Sequence, residues 1–192
     1  MTPDPLLFAA SLFLLLPFLW FIAMGKKTFR VPAAPTAASR LGPLLLLSGL
    51  AFGMWASLNG AFSLQHFMPA AALALASIAL YESARRVIRD RGFSIAMTTD
   101  VPQAVCADGP YALLRHPVYA SYLLAFLAML VAFPAAISAA LFVINAGFFV
   151  YAALAEERVL AHSPLASNYA DYRRRVGMFL PRFTRAASAR GS

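Results

Sequence analysis

Apolar runs separated by short polar segments dominate the chain. Five such runs cover residues 6–24, 41–58, 68–81, 118–133 and 135–155. A helix needs roughly 20 apolar residues to cross the hydrocarbon layer of a bilayer. The first, second and fifth runs are long enough by themselves, and the third and fourth are extended by flanking residues such as His66, Phe67, Leu113 and Leu114. We therefore predict an all-α integral membrane protein with five transmembrane helices.

The last two runs belong to one long segment, residues 117–155, in which no side chain is charged. As a single helix this segment would extend about 58 Å, which is about twice the thickness of the hydrocarbon layer. The sequence Phe133-Pro134 divides it, so we predict a helical hairpin that turns there. Both ends of a hairpin lie on the same face of the membrane. We therefore expect His116 and Glu156 to be close neighbours.

Charge supports the membrane assignment and orients the helices. Charged residues make up 12% of the chain, whereas soluble domains average about 25%. All 16 Lys and Arg residues lie within residues 26–40, 85–115 and 158–190. Because cytoplasmic loops hold the excess of Lys and Arg, we predict an external N-terminus and a cytoplasmic C-terminus. Anionic lipid headgroups then account for the net charge of +8, and we expect no nucleic-acid partner.

The chain is interpreted as one domain, residues 1–192. Residues 1–82 supply three N-terminal transmembrane helices, and residues 108–183 supply the hairpin and a cytosolic helical segment that is broken at Ser163-Pro164. Residues 31–39 and 92–108 are predicted connections. Gly49 and Gly53 are four positions apart in the second span, a spacing that permits close helix packing, here expected within the chain although a dimer is possible.

Polar groups capable of chemistry stand at both ends of the predicted hairpin. The first end carries Gly109, Pro110, Tyr111, Arg115, His116, Pro117 and Tyr119, and the second carries Glu156 and Glu157, followed by Tyr169 and Tyr172. An arginine binds carboxylates through planar donors, glutamates accept from ammonium or ribose hydroxyls, and tyrosines stack on purines or face cations. S-adenosylmethionine would use all of these groups. A nicotinamide dinucleotide could use many of them.

Each part also has a simpler interpretation when taken alone. An Arg-His-Pro before a span can be an interfacial anchor, and a pair of glutamates at a helix end can be a solvated face. Tyrosines near a membrane surface commonly form an aromatic belt. Asn145, in the middle of the fifth span, is expected to hydrogen-bond to another helix. The single cysteine, Cys106, excludes an internal disulfide.

The combined motif resembles a known family. In order, it consists of GPYxxxRHPxY, an uncharged hairpin, EExxL, YxxY and a basic run before Val and Pro. This order is similar to that of the isoprenylcysteine carboxyl methyltransferases and their phospholipid N-methyltransferase relatives. The matching residues are Gly109, Pro110, Tyr111, Arg115, His116, Pro117, Tyr119, Glu156, Glu157, Leu160, Tyr169, Tyr172, Arg173, Arg174, Arg175, Val176 and Pro181. The resemblance covers residues 108–183.

The resemblance implies a five-helix membrane enzyme that binds S-adenosylmethionine on the cytosolic side of the hairpin. The cofactor-binding residues it implies are Gly109, Pro110, Tyr111, Arg115, His116, Pro117, Tyr119, Glu156 and Glu157. Arg175, His116 and Glu156 are the implied catalytic residues, with Arg175 facing the methyl acceptor. The residues we expect at the acceptor are Tyr169, Tyr172, Arg175 and Asn145. No metal is implied.

The methyl acceptor and the reaction class remain open at this point. A carboxylate acceptor, such as that of a prenylated cysteine or a similar lipid, needs no base, whereas an amine or a thiol must lose a proton, for which His116 or a glutamate could serve. Phospholipid N-methylation and thiol methylation are therefore alternatives. An NADPH-dependent membrane reductase and a non-enzymatic membrane protein are further ones. No glycine-rich dinucleotide fingerprint is present.

Composition also suggests where the protein works. An Ala- and Arg-rich sequence is typical of bacteria, so we expect a multi-pass protein of the inner membrane. Its expected partners are the lipid bilayer and a lipid-like or prenylated small molecule. We expect a monomer.

Overall fold

The computed structural model describes residues 4–28, 37–91 and 104–182, and the statements below concern these residues. They form seven α-helices: α1 Pro5–Phe13, α2 Leu16–Thr28, α3 Ala37–Leu58, α4 Phe67–Arg91, α5 Pro117–Ala132, α6 Ala136–Ala161 and α7 Ala166–Arg175. Two short 3-10 helices lie at Leu64–His66 and Gly109–Ala112. Within these ranges there is no strand, and one isolated bridge pairs Leu114 with Gly177. The predicted all-α class is confirmed for the described residues.

Among the described residues, four segments are long and apolar enough to cross a membrane: Pro5–Gly25, Ser39–Leu58, Leu64–Arg89 and Ala136–Ala161. Helix α5 is apolar but has 16 residues, about 24 Å at the α-helical rise. The hydrocarbon layer is about 30 Å thick. Four of the five predicted spans therefore have the required length, while the crossing by α5 and the orientation of the helices stay predictions.

The first predicted span is divided into α1 and α2. Leu14 and Leu15 donate their backbone N–H groups to Ser11 and Leu12 at 3.1 and 3.0 Å, three residues back instead of four. Pro17 explains this break, because proline has no N–H and its ring clashes with the carbonyl four residues earlier. The continuous helix expected over residues 6–24 is therefore interrupted after about two and a half turns of α-helix.

Two predicted connections fall largely outside the described residues. Of residues 31–39, the structure describes only 37–39. These three belong to α3 and not to the predicted connection. Of residues 92–108, the structure describes 104–108, which are not helical. The described part of this second connection agrees with the prediction of a loop.

The hairpin turns where the sequence predicts it. Helix α5 ends at Ala132 and α6 begins at Ala136. Ser138 fixes the turn, because its Oγ accepts from the Ala135 N–H at 3.1 Å and donates to the Phe133 carbonyl at 2.5 Å. This arrangement ends one helix and starts the next within three residues.

Helix α5 is the centre of the bundle. It contacts α3, α4 and α6, and 11 of its 16 residues are buried. A helix that neighbours shield on several sides exposes little of its surface to lipid. Because its neighbours shield it in this way, α5 can be shorter than the hydrocarbon layer.

The two glycines of α3 lie where α3 meets the aromatic core. A Cβ on Gly49 would stand 2.5 Å from Phe18 Cε1 and 2.8 Å from Phe126 Cε1. At Gly53 it would meet Met129 Cε at 2.7 Å. These distances are far below van der Waals contact, so the glycines permit close packing. The predicted packing within the chain is confirmed.

Candidate functional site

The segment before α5 is a tight turn that brings the motif to the base of the hairpin. Gly109 has φ +54°, and a Cβ there would lie 3.0 Å from Val87 Cγ2, so both conformation and space favour glycine. Gly109 and Pro110 open a 3-10 helix, which is closed by the Leu113 N–H donating to the Pro110 carbonyl at 3.1 Å. Pro117 occupies the first helical position of α5, a favoured place for proline.

Five polar side chains meet at the two feet of the hairpin, and we call them the hairpin cluster: Arg115, His116, Tyr119, Glu156 and Glu157. Glu157 Oε1 lies 2.9 Å from Arg115 Nε and 3.2 Å from His116 Nε2. Glu156 Oε2 lies 3.5 Å from His116 Nδ1, and the Tyr119 hydroxyl donates to Glu156 Oε1 at 2.5 Å. The expected proximity of His116 and Glu156 is confirmed.

The hairpin cluster is shielded from solvent to different degrees. The side chain of Glu157 is 3% exposed and that of Arg115 is 6% exposed, whereas Glu156 is 19% exposed. A buried carboxylate must be paired, since its desolvation costs several kcal/mol. Arg115 supplies the permanent countercharge, although its Nε–H is not directed at Glu157 in hydrogen-bond geometry. Glu156 is therefore the carboxylate of the pair that a ligand can reach.

The neighbours of His116 favour its protonated form. Burial alone would lower its pKa, but hydrogen bonds to Glu156 and Glu157, together with their negative charges, outweigh burial and raise the pKa above its usual value. Both ring nitrogens face carboxylate oxygens. Because a protonated imidazole donates from both nitrogens, the geometry suits imidazolium.

The chain returns to the hairpin cluster after α7, through a segment that we call the C-terminal strap, residues 176–182. The N–H of Arg115 donates to the Gly177 carbonyl at 2.7 Å, and that of His116 donates to the Met178 carbonyl at 3.2 Å. The Arg115 guanidinium also donates from Nη1 to the Val176 carbonyl at 3.2 Å. The strap therefore fixes both the backbone and the side chain of the motif.

Helix α7 is attached to the motif through its tyrosines. The Tyr172 hydroxyl donates to the Tyr111 carbonyl at 2.6 Å. Burial raises the pKa of Tyr111 and Tyr172. Burial, and next the charge of Glu157, raises the pKa of Tyr169, whose buried hydroxyl has no hydrogen-bond partner among the described residues. All three hydroxyls are therefore neutral donors at physiological pH.

Aromatic rings surround the imidazole. The Tyr119 ring stacks on His116 with centroids 5.7 Å apart and on Phe149 with centroids 5.4 Å apart. Phe179 of the strap lies 6.1 Å from His116. Such rings suit a flat or cationic ligand group.

Two residues assigned to the acceptor lie apart from the hairpin cluster. Asn145 is 11 residues before Glu156 on α6, about 16 Å along the helix, and its amide donates to the Leu141 carbonyl at 2.8 Å. The prediction that it bonds to another helix is wrong for the described residues, since its amide bonds to its own helix and its Oδ1 has no hydrogen-bond partner among them. Arg175 is exposed, and its Nε donates to the Asp171 carbonyl at 3.3 Å.

The structure adds neighbours that sequence reasoning did not assign to the site. Arg173 Nε lies 3.4 Å from Glu157 Oε2. Phe149 could have been found from the sequence, because it is seven residues before Glu156 and hence on the same helix face. Phe179 had no such signal, since it depends on the path of an irregular segment.

The isoprenylcysteine carboxyl methyltransferase (ICMT) family model matches residues 71–162. This match supports assigning the segment to that family. The match includes the entire hairpin and its cluster, and it adds most of α4, which the sequence analysis interpreted by hydropathy alone. It ends before α7, so the motif at Tyr169 and Tyr172 remains a resemblance. No curated protein and no solved structure matches the chain. The match supports a membrane methyltransferase of the ICMT type.

Proposed function

We propose that the chain transfers a methyl group from S-adenosylmethionine to an amphiphilic acceptor at the cytosolic membrane face. The observation that carries this proposal is the hairpin cluster, which lies inside the segment that matches the ICMT family. In this proposal residues 1–192 act as one domain, with the site in residues 108–183. We place the protein in the bacterial inner membrane.

The residues of the cluster fit the chemistry of the cofactor. Glu156 offers a partly exposed carboxylate to an ammonium or a ribose hydroxyl. Tyr119, a cofactor residue by the family motif, donates to Glu156, and its buried ring stacks on His116 and Phe149 and so orders the wall behind that carboxylate. Tyr111, His116, Pro117 and Glu157 would complete the binding site, as the family motif implies. Gly109 and Pro110 serve it by forming the turn.

Arg115 has a different role from the one implied by the motif alone. Its side chain is buried and already faces Glu157 Oε1 and the carbonyls of Arg173 and Val176. Exchanging these partners for a ligand would leave Glu157 without its closest countercharge, which is costly. Arg115 is therefore a positioning residue that holds Glu157 and the C-terminal strap.

The protonation of His116 bears on the acceptor. When bound, S-adenosylmethionine supplies an electrophilic methyl group. A carboxylate acceptor attacks it without losing a proton, so the protein has only to align the groups and exclude water. An amine or thiol acceptor needs a base, whereas the glutamates beside His116 raise its pKa and favour its protonated form. The site thus favours a carboxylate, which Arg175 would orient with its exposed cation.

The test is methyl transfer by the purified full chain in lipid nanodiscs. Tritiated S-adenosylmethionine is supplied with three acceptor classes: prenylcysteines, phosphatidylethanolamine and small thiols. We expect label in the prenylcysteine fraction as a base-labile ester. Label in the other classes instead would move the function to N- or S-methylation.

Cofactor binding is measured separately by calorimetry, with NADPH as the competing hypothesis. We expect Glu156→Gln to weaken S-adenosylmethionine binding at least tenfold, because it removes a charge-assisted contact. Asp171→Asn is the matched control, since it makes the same change on exposed α7 outside the cluster. Binding of NADPH but not S-adenosylmethionine would overturn the proposal.

A further inference from the structure

A cleft outside the hairpin cluster opens where α6 ends and α7 begins. It encloses about 400 Å³ and is lined by Ala161, Ala166, Tyr169, Ala170, Arg173, Arg174 and Arg182. Three alanines give it a small apolar wall, and three arginines give it a cationic rim. Arg174 and Arg182 have no part in the proposed methyl transfer.

The positive charge of the rim is only partly neutralised. Arg174 pairs with Asp171, and Arg173 faces Glu157, which Arg115 already neutralises. Arg182 donates to the carbonyls of Arg173 and Arg174 at 3.4 and 3.2 Å. Carbonyls fix a guanidinium in position but leave its full charge. The arginines of the cleft are therefore fixed in position, and part of their positive charge remains available to an anion.

Tyr169 adds an aromatic wall to the cleft. Its side chain is 4% exposed and lines the cleft. Its hydroxyl lies beside the Glu157 carboxylate, so the groups available to an anion in the cleft are the arginines of the rim.

The position of the cleft indicates where such an anion comes from. Ala161 is the last residue of α6, one of the helices long enough to span a membrane, so the cleft lies at the level of lipid headgroups. We infer that it binds the phosphate of an anionic phospholipid, with the arginines on the phosphate and the alanines against the glycerol. This lipid is a bound partner and not the methyl acceptor, and the inference goes beyond the proposed function.

The experiment measures lipid binding by the full chain and needs no methyl transfer, so its failure is distinct from failure of the proposed function. Nanodiscs of phosphatidylcholine carry a small fraction of phosphatidylglycerol, and the lipids retained after detergent extraction are quantified by native mass spectrometry. The test variant is the double substitution Arg174→Gln and Arg182→Gln. The matched control is Arg86→Gln with Arg89→Gln, which removes two exposed arginines from α4.

We expect the test variant to lose about tenfold more phosphatidylglycerol affinity than the control, which corresponds to one charge-assisted contact. Any general attraction of lipid to surface charge is lost equally from both pairs. Equal losses would overturn the inference. So would displacement of phosphatidylglycerol by millimolar inorganic phosphate, which would identify a site for free phosphate.

A second measurement does not depend on folding of a variant. Wild-type protein is crosslinked to a phosphatidylglycerol with a photoreactive headgroup, and the labelled peptide is mapped. We expect label between residues 161 and 182. Label confined to other segments would contradict the inference.

Discussion

Glu157 is the residue on which the hairpin cluster depends. Its carboxylate faces Arg115, His116 and Arg173, which come from two parts of the chain separated by up to 58 positions. It is nearly inaccessible to solvent. An acid in this position joins the two feet of the hairpin and α7 through one side chain.

We predict that Glu157→Gln destabilises the folded protein by about 3–5 kcal/mol, because it leaves Arg115 as a buried cation without a countercharge. Asp171→Asn breaks an exposed ion pair and should cost less than about 1 kcal/mol. Reversible denaturant unfolding in detergent micelles checks both values. Similar losses for the two variants would show that the cluster adds little to stability.

His116 makes the stability depend on pH in a defined direction. Its pKa is raised in the folded protein, so the stabilisation is complete below the unfolded value, about 6.5. It is lost as the pH rises through the higher folded value. We predict that the melting temperature of the wild type falls over this range relative to that of His116→Gln. A constant difference between the two proteins would contradict the charged imidazole.

At the scale of elements, α3 packs closely against α2 and α5 at Gly49. Gly49 meets the rings of Phe18 and Phe126, which cannot move aside as a flexible side chain can. Gly147 on α6 has no atom within 4 Å of its would-be Cβ. Comparing substitutions at these two positions therefore distinguishes the packing role of glycine from its poor helix propensity.

We predict that Gly49→Ala destabilises the protein by about 1–3 kcal/mol through overpacking. Gly147→Ala should stabilise it by up to about 1 kcal/mol, since alanine is the better helix former. Thermal unfolding in one detergent compares the two variants. A loss at Gly147 equal to that at Gly49 would mean that steric contact is not the cause.

The elements that sequence reasoning predicted are those with a length or charge signal. Residues 117–155 were too long for one crossing and contained Phe133-Pro134, so the hairpin and the meeting of His116 with Glu156 could be inferred. The C-terminal strap could not, because its backbone pairs with Arg115 across 62 positions without any periodic pattern. The interruption of the first helix before Pro17 could have been predicted from the proline, but the continuous leucines around it favoured a single helix. The sequence also could not predict that Asn145 bonds within its own helix, because this depends on side-chain geometry.

At the scale of the molecule, the orientation in the membrane decides which solution reaches the site. Helix α5 is the critical case, because it is shorter than the hydrocarbon layer while its neighbour α6 is not. If α5 crosses, the hairpin turn and the cluster lie on opposite faces of the membrane, and the orientation predicted from the Lys and Arg residues puts the cluster on the cytosolic face.

Single cysteines introduced into a Cys106→Ser background test this topology. We predict that a membrane-impermeant maleimide labels Ala61→Cys and Ala135→Cys on intact cells. Ser167→Cys should be labelled only after permeabilisation. All three positions are exposed in the structure. Protection of Ala135→Cys on intact cells would mean that α5 does not cross, and the opposite pattern would invert the orientation.

The attachment of the strap also sets an order for biosynthesis. The carbonyls that hold Arg115 and His116 belong to Gly177 and Met178, which the ribosome adds long after both motif residues and the whole hairpin. A nascent chain can therefore insert its membrane helices while its site is still incomplete. Activity begins only once translation has passed these residues, and a product that stops short of them would occupy the membrane as an inert protein.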